Sequence, residues 1–271
     1  MFLRILGFVF LLILALAGWG YANSAADPVL HRIEVTMQDW PAETGPLRVA
    51  LLSDLHVQGP DMPPARLARI VEQVNAQHPD LILIAGDIAG DRELSTRQYS
   101  DAELAAPLGK LLAPLGTFVV FGNHDHSRDV KKLRAALEAV GVRVLSDETT
   151  RVGVVTLLGI DDGPSGHSNL RHVLELGKRA SGPAIALVHS AEVATRLPRN
   201  VSVVLGGHTH CGQIMIPGRD NFDLPGKGRF RCGAYVDRGR AVIVTGGLGT
   251  SLLPMRFGAP PDWWMITLRG R

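Results

Sequence analysis

Thr117-Phe118-Val119-Val120-Phe121-Gly122-Asn123-His124-Asp125 is the stretch whose reading decides the fold of this chain. Its first five residues are apolar and rich in β-branched and aromatic side chains, as in a buried strand. The next four bring a glycine, an amide, an imidazole and a carboxylate to the strand's C-terminal end. In open α/β sheets that end is where ligands bind. Gly-Asn is also turn chemistry, so the segment alone allows an exposed loop as readily as a site.

Upstream, the same arrangement occurs twice. Arg48-Val49-Ala50-Leu51-Leu52-Ser53 reads as a strand ending in Asp54-Leu55-His56, and Asp80-Leu81-Ile82-Leu83-Ile84-Ala85 as a strand ending in Gly86-Asp87. Between them, Leu67, Ile70, Val71 and Val74 give residues 64–77 a helical period, and a second helix is expected over 101–112. This βαβαβ order predicts a largely parallel sheet covered by helices. Downstream, a helix is expected over 129–140 with Gly141 at its end, and another over 172–179. Strands are expected at 142–145, 152–158, 184–188, 202–205, 241–245 and 264–268, with Asp161 to Gly166 as a loop. Residues 218–233, rich in Gly and charge, read as a surface loop. Short strands with fewer helices in this later half predict a second sheet packed on the first.

The chain has 271 residues, 46% of them hydrophobic, with 28 basic and 26 acidic side chains. A formal net charge of +2 gives no case for nucleic-acid binding by bulk electrostatics and none for a polybasic membrane patch. Residues 5–21 carry no charge, and a run of about 17 residues is the lower limit for spanning a bilayer. A secretory signal is the rival, because Ala22-Asn23-Ser24-Ala25-Ala26 offers small residues for cleavage. Trp19 and Tyr21 at the end of the run favour a retained anchor. Arg4 makes the short N-terminal flank the positive, cytoplasmic side. The division expected is an anchor or signal at 1–26, a connector and edge strand at 27–46, and one enzyme-sized domain at 47–271.

Asp54, His56, Asp87, Asn123, His124, His189, His208 and His210 all fall just past the C-terminal ends of expected strands, so they should converge on one rim. Oxygen and imidazole donors without thiolate suit Zn, Mn or Fe. Asp54-x-His56 and His208-x-His210 would each point both members to one side if the backbone there is extended. His189 alone could equally be a hydrogen-bonded core histidine.

Asp54-x-His56, Gly86-Asp87, Gly122-Asn123-His124-Asp125, His189 and Gly207-His208-x-His210, in this order, resemble the signature of the calcineurin-like metallophosphoesterases. Gly246-Gly247-Leu248-Gly249 resembles the membrane-anchored bacterial branch of that family. The resemblance implies an α/β fold, a four-layer α-β-β-α sandwich of two mixed sheets, here preceded by one N-terminal transmembrane or signal-anchor helix. It implies that Asp54, His56 and His210 hold one metal, that Asn123, His189 and His208 hold a second, and that Asp87 bridges them. His124 would face the substrate with Asp125 orienting it. Two such cations clamp phosphate oxygens and acidify a bridging water for attack on phosphorus, while His124 assists the leaving group.

The function implied is dinuclear metal-dependent phosphoester hydrolysis at the outer face of the cytoplasmic membrane, on a substrate that could be a lipid. The runner-up is a pyrophosphatase of nucleotide-linked lipids, of the UDP-diacylglucosamine type, and a remote rival is a non-catalytic scaffold with the same fold. His31 and His78 read as surface residues and His126 as a solvated loop residue or a substrate contact. His167, Asp161 and Asp162 lie on a loop that could overhang the pocket. Arg256 reads either as a phosphate contact or as the cap of a turn. Cys211 and Cys232 would pair if the domain is exported. Cys211 stands where the family signature commonly has Gly, a departure that touches no catalytic role.

Overall fold

The structure, a computed structural model, describes residues 1–215 and 228–271. Strands β1 (Val29–Thr36), β2 (Leu47–Leu52), β3 (Leu81–Ala85), β4 (Thr117–Val120) and β5 (Val142–Val144) belong to one sheet. Strands β6 (Glu148–Val152), β7 (Val155–Ile160), β8 (Ala184–Val188), β9 (Val201–Gly206), β10 (Gly233–Asp237) and β11 (Arg240–Val244) make the second. The last strand, β12 (Asp262–Arg269), returns to the first sheet. The orders are β1-β12-β2-β3-β4-β5 and β10-β11-β9-β8-β7-β6. Both sheets are mixed. β12 runs antiparallel to β2, β6 to β7 and β10 to β11, whereas β2-β3-β4-β5 and β7-β8-β9-β11 are parallel.

Helices are α1 (Phe2–Ala25), α2 (Pro64–Asn75), α3 (Asp101–Leu108), α4 (Val130–Ala139) and α5 (Leu170–Arg179). Pro64 opens α2, where a missing N–H costs nothing, and Asp129 and Asn169 cap α4 and α5. Ser100 and Glu103 form a reciprocal capping box on α3. α3 stops at Leu108, short of the expected 112. Pro107 removes an N–H from its last turn, and Gly109 follows as the cap residue.

Three apolar layers separate four layers of structure. Leu51, Leu83, Val120, Ile185, Leu187, Val203 and Leu205 meet between the sheets. Ala50, Leu52, Ile82, Ile84 and Val119 face α2 through Leu67, Ile70 and Val74, and α4 through Leu133 and Leu137. Ala186, Val188, Val204 and Val242 face Val173 of α5. Central strands are therefore buried on both sides, which is why they read as unbroken apolar runs.

Two sequence expectations need correcting. Residues 152–158 are not one strand: β6 and β7 form a hairpin, and Gly153, with φ 54°, supplies its left-handed turn position. β10 was not anticipated. It alternates exposed and half-buried residues up to Asp237, and Arg238-Gly239 turns it back with φ of 52° and 83°, the dihedral signs of a type I′ hairpin. The expected surface loop over 218–233 lies mostly outside the described residues.

Candidate metal centre

β2, β3 and β4 in one sheet and β8 and β9 in the other point their C-terminal ends to a common rim. Asp54 and His56 follow β2, Asp87 follows β3, Asn123 follows β4, His189 follows β8, and His208 and His210 follow β9. The extended geometry expected for the i, i+2 pairs is not what brings them together. Asp54, His56, Asp87, His208 and His210 have φ of 50°, 41°, 53°, 72° and 50°, left-handed values that are uncommon outside glycine but more accessible to Asp and His than to most side chains. The segments after β2, β3 and β9 thus leave their strands through left-handed backbone positions, whereas Asn123 and His189 do not. Strain of this kind persists only where surrounding structure enforces it. Here Gly86 and Gly122 help to do so: a Cβ on Gly86 would press on His189 Nδ1, and one on Gly122 would occupy the place of the Asp87 carboxylate.

Two groups of donor atoms result. Asp54, His56 and His210 bring one ligand atom each within 4.8 Å of one another, and so do Asp87, His189 and His208. His56 Nε2 and His210 Nε2 are 3.1 Å apart, and Asp54 Oδ1 lies 3.4 Å from His210 Nε2. In the second group His189 Nε2 is 3.1 Å from His208 Nδ1, 3.1 Å from Asp87 Oδ2 and 3.2 Å from Asn123 Oδ1. Asp87 Oδ2 also lies 3.5 Å from His56 Nε2, so one carboxylate oxygen faces both groups.

Several other atoms of these side chains are committed elsewhere, although His56 Nδ1 is buried without a partner. Asp54 Oδ2 accepts from Ser53 Oγ at 2.5 Å and from the His208 N–H at 2.9 Å, whereas Asp54 Oδ1 is buried without a hydrogen-bond partner. Asp87 Oδ1 accepts from the His124 N–H at 2.9 Å. His189 Nδ1 donates to the Ala85 carbonyl at 2.8 Å, which leaves the Nε2 lone pair facing the centre. Burial and the neighbouring His210 and His124 drive the His56 pKa down to about 3, so that ring is neutral with a free lone pair. Burial and His189 lower His208. Burial and the Arg256 guanidinium push His210 well below the usual range. Burial opposes charge on His189 as well, but the Asp87 carboxylate raises its pKa to about 10. A proton there fills the role a cation would take between two buried carboxylates. Ring nitrogens and carboxylate oxygens that converge, with one carboxylate oxygen orphaned, fit a divalent metal, which would displace that proton.

His124 is partly exposed at the edge of the centre, edge-on to His56 with ring centroids 4.9 Å apart. Its orienting partner is not Asp125. The Asp125 carboxylate turns inward and accepts from the Gly122 and Ala89 N–H groups at 3.0 and 2.9 Å, bracing the loop instead. Burial, then the nearby Asp87 charge, raise its pKa to about 7. His124 Nδ1 is held by Asp91 Oδ1 at 2.5 Å, a contact that sequence reasoning missed. Asp91 sits in an irregular segment whose partner is 33 residues away, and its only signal was a second Gly-Asp pair right after the first.

His126 is packed, with Nε2 2.6 Å from Asp161 Oδ1 and its ring stacked on His167 at 3.6 Å. Asp161 thus binds His126, while Asp162 accepts from Ser165 N and Oγ within its own loop. His78 is exposed, and His31 is half-exposed, 3.6 Å from Asp262 and tilted against Trp264. Arg256 is fully buried and cannot meet substrate: its guanidinium donates to the carbonyls of Gly246, Gly247, Gly249 and Ala259. Cys211 and Cys232 form a disulfide beside His210.

Residues 47–212 match the family described as Calcineurin-like phosphoesterase. A "Transmembrane protein with metallophosphoesterase domain" from Danio rerio is 33% identical over 94% of this chain, which covers 60% of that protein. The "Uncharacterized metallophosphoesterase YkuE" of Bacillus subtilis is 28% identical over 93% of this chain and 90% of its own length. The chain thus spans about 60% of its vertebrate relatives, the Bos taurus protein of the same description included, and most of the bacterial one. Among solved structures, that of the Thermus thermophilus protein TT1561 is similar at a TM-score of 0.48 and 16% identity, over 74% of this chain and 90% of that one. With the matched segment running from the start of β2 through His210, the chain belongs to the calcineurin-like phosphoesterase family, whose members are phosphoester hydrolases.

Proposed function

We propose that this hydrolase cleaves phosphoesters with two divalent cations, at the outer face of the membrane that holds α1. The observation that supports the reading is Asp87 Oδ2, 3.1 Å from His189 Nε2 and 3.5 Å from His56 Nε2, within reach of both donor groups. Asp54, His56 and His210 would hold one ion, and Asn123, His189 and His208 the other. Oxygen and imidazole donors suit Mn, Fe or Zn. Bound there, the ions supply positive charge for the phosphoryl oxygens and a water acidic enough to act as nucleophile at neutral pH.

The chain's own contribution centres on His124. Asp91 holds its Nδ1, which leaves Nε2 to carry a proton to the departing oxygen. The Asp91 hydrogen bond raises the His124 pKa against the opposing effect of burial, so the ring is supported in its protonated form. The irregular loops around the site are pinned by a buried network: Arg92 Nη2 lies 2.7 Å from Asp61 Oδ1, and Thr250 Oγ1 donates to Asp61 Oδ2 at 2.6 Å. Rigid walls keep donors at fixed positions while charge develops.

Membrane attachment is supported by α1, whose 24 residues are long and apolar enough to span a bilayer. The outer face is supported by Arg4 on the short flank and by the Cys211–Cys232 disulfide, which belongs to an oxidising compartment. Elemental analysis of unchelated protein tests the centre: two metals per chain are expected, and Asp87→Asn should lower occupancy of both. Loss of one metal alone would refute the bridging role of Asp87.

A further inference from the structure

α1 does not end clear of the domain. Trp19 meets Phe257 edge-on, with ring centroids 5.4 Å apart, and a side chain on Gly20 would collide with the Phe257 ring. The Gly20 carbonyl accepts from the Arg256 N–H at 2.9 Å, and Ser24 Oγ donates to the Pro254 carbonyl at 2.9 Å. The segment that receives α1 is joined in turn to the chain just past His210. Gln213 Nε2 donates to the carbonyls of Leu253 and Met255, and the Met215 N–H donates to the Phe257 carbonyl at 2.8 Å. Arg256 spans the two contacts. Its backbone touches α1, and its guanidinium lies 3.4 Å from His210 Nδ1. One residue therefore separates the anchor helix from a metal-ligand imidazole.

Depth follows from helix length. The charge-free run 5–21 rises ~26 Å at ~1.5 Å per residue, somewhat short of the ~30 Å hydrocarbon layer. A short run is accommodated by local thinning of the bilayer, which keeps its ends at the headgroups. Gly20 is the last but one residue of that run, so whatever packs on it sits at headgroup level. Four large apolar side chains stand exposed at this seam: Trp19 at 58%, Leu252 at 57%, Met215 at 45% and Leu253 at 38%. Exposed apolar groups gathered beside a spanning helix suit an interface of lipid rather than water.

We propose that Trp19, Met215, Leu252 and Leu253 form a face that rests in the bilayer holding α1, and that the centre above it hydrolyses phosphoesters of lipid headgroups in that leaflet. The substrate half rests on the phosphoester-hydrolase reading given above. In that reaction the P–O bond to the departing alcohol breaks, water supplies the hydroxyl to phosphorus, and its proton ends on the leaving oxygen.

The test uses the full chain reconstituted in vesicles of phosphatidylcholine and phosphatidylglycerol. Both native cysteines are in the disulfide, so a thiol-directed fluorophore without reductant labels Leu252→Cys alone. The control is Val236→Cys, 81% exposed near the end of β10 that lies away from the ligand rim. Brominated lipids should quench the label at 252 several-fold more than at 236; equal quenching would overturn the face. In the second arm, Leu252→Ser combined with Leu253→Ser should stay within about twofold of the parent on a soluble nitrophenyl phosphodiester. It should lose roughly tenfold or more on phospholipid in vesicles, and equal losses on both would overturn lipid as the substrate. If the parent cleaves neither substrate while 252 remains quenched, the hydrolase reading fails and the membrane face stands.

Discussion

His124 and Asp91 form a pair whose members differ in duty. His124 stands at the partly exposed edge of the centre, whereas Asp91 reaches only its Nδ1. An alkyl alkoxide needs a proton to depart, and a nitrophenolate does not. His124→Ala should therefore keep both metals yet lose ~10²–10⁴-fold on alkyl phosphoesters, with a much smaller loss on nitrophenyl esters. Asp91→Asn should show the same imbalance at reduced size, roughly 10–100-fold, because it removes only what orients the ring. Steady-state rates on the two ester types, with metal content measured alongside, decide the matter. Equal losses on both esters would make His124 an electrostatic clamp on the phosphoryl group instead. Arg256 offers a different residue-level case. Its planar guanidinium serves four carbonyls within a fully buried site, and an ammonium cannot reproduce that fork. Arg256→Lys should cost about 2–5 kcal/mol in denaturant unfolding, from carbonyls left without donors. A loss below ~1 kcal/mol would show that water replaces the guanidinium readily.

Among the elements, the turn after β9 carries the most constraint. His210, Cys211 and Gln213 all have left-handed φ, of 50°, 53° and 48°. Gln213 is fastened to the 251–257 segment through three hydrogen bonds of its side chain, and Cys211 is tied to Cys232 at the foot of β10. A crosslink between residues 21 apart in sequence is worth ~3 kcal/mol through restriction of the unfolded chain. Reduced protein, or Cys232→Ser, should accordingly be less stable by about that free energy in urea unfolding, with a lower midpoint. A metal-loaded sample should show the loss too, because the constraint acts on the unfolded state. No change in the urea midpoint on reduction would mean that the segment gains nothing from its tether.

At the scale of the molecule, α1 is both the candidate membrane anchor and part of the packing. Deleting residues 1–26 removes the Gly20, Asn23, Ser24 and Ala26 hydrogen bonds to residues 66 and 254–256. At ~0.5–1.5 kcal/mol each, less what water restores, the shortened chain should be about 1–3 kcal/mol less stable. Scanning calorimetry of the shortened and full chains should show a Tm lower by roughly 2–10 °C, with metal content unchanged. Metal lost along with the helix would mean that α1 sets the geometry of His210 through Arg256 rather than merely adjoining it.

Strand identity was legible in sequence because central strands buried on both faces must be apolar throughout, so a polar residue just past such a run is conspicuous. Asp54, His56, Asp87, Asn123, His189, His208 and His210 stood out for that reason, and so did α1, whose lack of charge over residues 5–21 needs no partner to be seen. What the sequence could not carry were contacts between irregular segments distant in the chain. Asp91 rather than Asp125 meets His124, Arg256 turns inward to backbone carbonyls, His126 stacks on His167, and the end of α1 seats beside Phe257. Such contacts follow no period of 2 or 3.6 residues. They depend on where loops land once two sheets have packed, and the left-handed positions at Asp54, Asp87 and His210 sit within those packed loops.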